Sequence, residues 1–87
     1  MTLALEWANG GTASVVETDG ARVVLRSSRA AAPGTPMVAR VALRSCDQVR
    51  VKVQDCRREG QGAFLIRGRW LDLSRAMREE ICSQAAG

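Results

Sequence analysis

Valine alternates with a polar residue from Val49 to Gln54: Val49, Val51 and Val53 are each followed by one, Arg50, Lys52 and Gln54. A period of two is the mark of a strand with one buried face, because successive strand side chains point to opposite sides. After a polar turn, CRREGQG, a second run follows. In it Phe64, Ile66, Gly68 and Trp70 share one phase and Arg67 and Arg69 the other. The stretch from Val49 to Leu73 therefore reads as a β-hairpin running into a short C-terminal helix.

The same period recurs upstream. Leu3, Leu5 and Trp7 alternate with Thr2, Ala4 and Glu6, which reads as a short edge strand or an arm over residues 1–11. Asn9-Gly10-Gly11 is a turn signal. Thr12 to Glu17 and Ala21 to Ser27 read as strands joined by Thr18-Asp19-Gly20, where glycine accepts a positive φ without steric cost. Ser28 to Pro36 reads as a loop, since Pro33 and Pro36 have no N–H for a ladder. Met37 to Leu43 alternates again, with Ala39, Val41 and Leu43 expected inward and Arg40 and Arg44 outward. Arg44 to Asp47 reads as the turn into the central hairpin.

At the C-terminus Ser74 is placed as an N-cap, where its hydroxyl can accept from a free N–H of the first helical turn. Leu73, Met77 and Ile81 recur every four residues and make a narrow apolar stripe. A helix this short is marginal alone, so it is expected to lie against an open end of the sheet.

Five or six short strands followed by one helix predict a mainly β fold, a small antiparallel barrel. At 87 residues, with no repeat or low-complexity tract, residues 12–87 read as a single barrel domain. A barrel of this size fills its interior with side chains and leaves no room for an enzyme-sized cavity.

The chemistry the residues exclude is broader than what they suggest. There is no His, and the three cysteines, Cys46, Cys56 and Cys82, form no CxxC pair. That argues against most zinc arrangements and against His-based catalysis. No glycine-rich phosphate loop occurs, and no two carboxylates are spaced for acid–base work. The expectation is a protein that is not an enzyme and takes no cofactor or metal. No apolar run approaches the roughly 20 residues of a membrane span, and the opening MTLALEWANGG does not read as a signal peptide. Cytoplasmic location is the expectation.

The net charge is +4, and all but one of the 13 basic residues are Arg. Arg22, Arg26, Arg40, Arg44, Arg50, Lys52, Arg67 and Arg69 all fall on the polar phase of their strands. Aligned across neighbouring strands they would form a basic stripe, and guanidinium groups grip phosphate in a two-pronged geometry. Such a stripe is equally what solvated outer positions look like in an Arg-rich chain. Nucleic acid is not expected. Phe64 and Trp70 lie on the apolar phase, which leaves Trp7 as the one candidate stacking platform.

From about Thr12 to Ile81 the chain resembles a PilZ domain. The matching parts are ASVVETDGARVVL, then PGTPM leading into VARVAL, VRVKVQDC, AFLIRGRWL and the terminal SRAMREEI. The resemblance implies a six-stranded antiparallel barrel closed by a C-terminal helix. It also implies cyclic di-GMP as ligand, held through an RxxxR motif before the barrel and a [DN]xSxxG motif on an early strand. This chain departs from both. No Arg precedes Arg22, and VETDGARV carries Glu17, Asp19 and Gly20 without the second motif's spacing. Asp72-Leu73-Ser74 gives DxS only at the helix start. The strings Arg22–Arg26 and Arg40–Arg44 have RxxxR spacing but lie inside expected strands. What the resemblance implies is a degenerate member that acts through protein contacts. Two readings stay open. One is a regulatory or adaptor module with a protein partner, in bacterial motility or envelope signalling. The other is a module binding cyclic di-GMP or another phosphate-containing anion on the basic stripe. A homo-oligomer formed through Leu3, Leu5 and Trp7, or through the helix, is compatible with both.

Overall fold

Six strands and a helix follow one another: β1 (Ala4–Trp7), β2 (Thr12–Thr18), β3 (Arg22–Ser27), β4 (Pro36–Arg40), β5 (Gln48–Arg58), β6 (Phe64–Leu71) and α1 (Arg75–Ala86). This computed structural model describes residues 3–43 and 47–86, the last three by backbone alone. The sheet closes on itself in the order β1-β2-β3-β6-β5-β4, and every neighbouring pair is antiparallel. The chain is thus mainly β, a closed six-stranded barrel with one C-terminal helix.

Alternation in the sequence becomes alternation in burial. Val49, Val51 and Val53 are at most 2 % exposed, while Arg50, Lys52 and Gln54, which follow them one by one, face solvent. Val23, Leu25, Ala39, Ile66 and Trp70 join them inside the barrel. Gly68 also faces inward, and there the two central strands nearly touch. A Cβ built on Gly68 would lie 2.6 Å from the Lys52 carbonyl oxygen, so only glycine fits this crossing.

The N-terminal stretch is a stave of the barrel. β1 pairs with β2 through Leu5↔Ala13 and with β4 through Glu6↔Arg40 and Trp7↔Ala39. Leu3, Leu5 and Trp7 point into the core, and the Trp7 indole N–H donates to Ser27 Oγ at 2.9 Å. Trp7 is therefore not an exposed stacking platform. Nor do these three side chains form a free surface for self-association, because closing the barrel is what buries them.

Two boundaries and one burial differ from the alternation pattern. β4 ends at Arg40, and Val41 bonds to Asp47 instead, so Leu43 is only half-buried. β5 runs on to Arg58, which puts Cys56 in the strand and not in the turn. Phe64 is half-buried at the start of β6. The turn expected at Arg44, Ser45 and Cys46 lies outside the described residues.

The helix follows β6 through Asp72, which takes a left-handed φ of 55°. Ser74 caps it as expected, its Oγ accepting from the Met77 N–H at 3.2 Å. Ile81 is fully buried, and Leu73 and Met77 pack beside it against the core. The helix lies over the Asp19–Gly20 turn. A Cβ at Gly20 would come within 2.8 Å of the Arg78 stem and 3.2 Å of Cys82 Sγ. Gly20 thus serves twice, for its φ of 93° and for the close approach of α1. Among the described residues no helix is long and apolar enough to cross a membrane.

Candidate functional site

Register decides which of the basic residues meet. Arg22 on β3 stands directly opposite Arg69 on β6, and Arg69 stands directly opposite Lys52 on β5. All three are exposed. Directly opposed residues have Cβ atoms roughly 5 Å apart, a spacing at which like charges disfavour the fold. Arg67 lies two residues from Arg69 on the same outer face, opposite Val24 on one side and Asp55 on the other. Among the described residues none of these four cations is in an ion pair.

Their neighbours are neutralised. Arg26 pairs with Glu59 at 2.9 Å, Arg50 with Asp72 at 3.2 Å and Arg57 with Asp55 at 3.5 Å. The unpaired cations therefore form a bounded patch on β3-β6-β5, with ion pairs around it. Arg40 is not part of it. It sits around the barrel on β4, between Glu6 and Gln48, on an open groove of about 930 Å³. Arg44 lies outside the described residues. Of the eight residues of the expected stripe, four meet without an ion pair among the described residues: Arg22, Lys52, Arg67 and Arg69.

Beside the patch a groove of about 410 Å³ opens between β3 and the central hairpin, lined by Arg22, Val24, Gln54 and Arg67. Glu17 and Asp19 line it too. Asp19 is held below its ordinary 3.8 chiefly by the backbone N–H groups of Arg22 and Ala21, which donate to Oδ1 at 2.8 and 2.9 Å, with the Arg22 charge a lesser cause. Gln54 comes to the groove from a bulge in β5: the register passes from Val53↔Gly68 to Asp55↔Arg67 and leaves Gln54 over. β2 has the matching irregularity, passing from Val15↔Leu25 to Glu17↔Val24 and leaving Val16 over. Val16 is 51 % exposed, the one large hydrophobic so exposed among the described residues.

Alternation placed Gln54 and Val24 on the outward phase but did not mark them, or Val16, as residues of this face. A trace of the β5 bulge is visible in the sequence, where the apolar phase slips from odd positions at Val53 to an even one at Cys56. Nothing comparable marks Val16, which is one of two consecutive valines. Among the described residues no three of His, Cys, Asp and Glu come together as a metal-holding group. In comparisons with known proteins, no family model, no curated protein and no solved structure matches this chain.

Proposed function

We propose that this is a non-enzymatic regulatory or adaptor barrel, of the PilZ-like kind its sequence resembles, which acts in the cytoplasm by contact with a partner protein. Bacterial motility or envelope signalling is the expected setting. The observation that supports this reading is the row Arg22–Arg69–Lys52, three exposed like charges set directly opposite one another, none in an ion pair among the described residues. Such a row costs stability in the free barrel, which an acidic surface laid over it would return.

Magnitude separates a macromolecular partner from a small anion. An exposed ion pair contributes about 0–1 kcal/mol. Four exposed cations then offer a compact anion at most about 4 kcal/mol, near millimolar affinity. Tighter binding needs additional buried area, which a protein surface supplies. The second reading, cyclic di-GMP or another phosphate-containing anion, draws on the groove beside Arg22, Arg67 and Gln54. Glu17 and Asp19 line the same groove, so a compact anion seated there meets two carboxylates, whereas a protein surface can set a cation opposite them.

The test is affinity capture from lysate of the source cells, comparing the protein with a variant carrying Arg22→Glu, Lys52→Glu and Arg69→Glu. A partner retained by the first and lost by the second supports the reading; identical retention by both overturns it. Calorimetric titration of cyclic di-GMP at two salt concentrations addresses the alternative. Saturable, salt-sensitive micromolar binding would put the anion reading ahead.

A further inference from the structure

The patch has two parallel rows. One is the basic row, Arg22–Arg69–Lys52. The other lies two residues along β3, where Val24 stands between Glu17 on β2 and Arg67 on β6, with the bulged-out Val16 beside Glu17. The first row calls for carboxylates and the second, at its β2–β3 end, for apolar contact at Val16 and Val24 and for a cation opposite the exposed Glu17. Two residues of strand separate the rows by roughly 6.7 Å, which fits beneath one helix, whose diameter with side chains is about 10–12 Å.

We infer that the partner element seated on this face is an amphipathic acidic helix laid across β3, β6 and β5. The inference rests on the adaptor reading and names the shape of what is bound. A β-strand turns alternate residues to opposite sides, so one strand can show this face only a single stripe, at i, i+2 and i+4. A helix can show two adjacent stripes at once, carboxylates at i, i+4 and i+7 with apolar residues on the flanking line. The lengths agree as well. Three strands place Arg22 and Lys52 about 10 Å apart. A helix covers about 10.5 Å from i to i+7, whereas a strand covers about 13.6 Å from i to i+4.

Three peptides of identical composition test this. The first is an Ala-rich helix with Glu and Leu on adjacent stripes. The second is a helix with the same residues on opposite faces. The third has the first pattern interrupted by two D-amino acids that prevent helix formation, confirmed by circular dichroism. Binding is followed by fluorescence anisotropy of the labelled peptide at low and at physiological salt. The expected result is that the adjacent-stripe helix binds at least about tenfold more tightly than either of the others. Val16→Asp should erase that advantage without changing the barrel's circular dichroism. Equal affinity for the helical and non-helical peptides overturns the helix and leaves the adaptor reading standing. Failure of every acidic peptide to bind at low salt removes the basic face as a docking surface, and both readings of it fall together.

Discussion

Arg22 and Arg69 stand directly opposite each other on neighbouring strands, both exposed and neither in an ion pair among the described residues. Lys52 extends the row on the far side of Arg69. A barrel selected for stability alone would not keep three like charges in register, since opposite charges or β-branched residues at such positions are favoured by about 0.2–1 kcal/mol per pair.

Arg69→Thr should therefore raise the midpoint of urea unfolding, by a stability gain of about 0.5–1 kcal/mol, because one change relieves two like-charge pairs. The same variant should lose partner capture. Stabilisation without loss of capture would show the row to be an unused surface, and destabilisation would show that Arg69 packs in a way that outweighs the repulsion.

Inside the barrel, Trp7 and Ser27 form the corresponding buried relationship. The indole N–H donates to Ser27 Oγ at 2.9 Å, and that hydroxyl in turn donates to the Arg29 carbonyl at 2.8 Å. Ser27 is the one buried polar residue of the described chain, 2 % exposed. Ser27→Ala leaves the indole donor buried without a partner and should cost about 1–3 kcal/mol in denaturant unfolding. The neighbouring exposed Ser28, whose Oγ accepts from the Thr12 N–H, should lose less on the same change. Equal costs would mean that the indole finds another partner.

Gly68→Ala should destabilise the barrel by about 1–3 kcal/mol, the usual cost of overpacking. The added methyl meets the Lys52 carbonyl oxygen at 2.6 Å and Val51 Cγ1 at 2.9 Å, and a backbone oxygen in a central strand has little room to move. Thermal unfolding with a well-dispersed amide NMR spectrum as the fold check measures it. An unchanged melting temperature would show that β5 and β6 can separate at this crossing.

Asp19 sets a pH dependence. Its carboxylate is lowered in the folded state below the ordinary 3.8, first by the backbone N–H of Arg22 and then by that of Ala21. A lowered folded-state value means that the contribution is fully present above 3.8 and is lost as pH falls through the folded-state value. Stability of the protein relative to Asp19→Ala should accordingly be constant from neutral pH down to about 4–5, and then shrink with further acidification. A difference that stays the same at low pH would show that the turn depends on side-chain geometry and not on the ionised carboxylate.

Much of this fold was legible in the chain. The period of two sorted inward from outward residues in the strands, because strand geometry ties parity to side. The Ser74 cap and the four-residue spacing to Ile81 located the helix, because an unbonded N–H and an apolar stripe each need a partner. The seven basic residues of the stripe that are described were recognisable as outward-facing for the same reason.

Parity could not say which outward residues share a neighbourhood. Arg26 finds Glu59 across 33 residues and Arg50 finds Asp72 across 22, and these non-local pairs remove two cations from the stripe. Closure of the sheet made β1 a stave and buried Trp7, whereas the segment alone read as an edge strand or an arm. The bulges at Val16 and Gln54 shift the local register, and they leave an exposed valine on β2 and Gln54 in the groove lining. The sequence by itself determined the strands, their buried faces and the terminal helix, all local consequences of side-chain alternation and capping. The composition of the basic face was decided only in the tertiary structure, because register, bulging and ion pairing depend on which strands meet when the barrel closes.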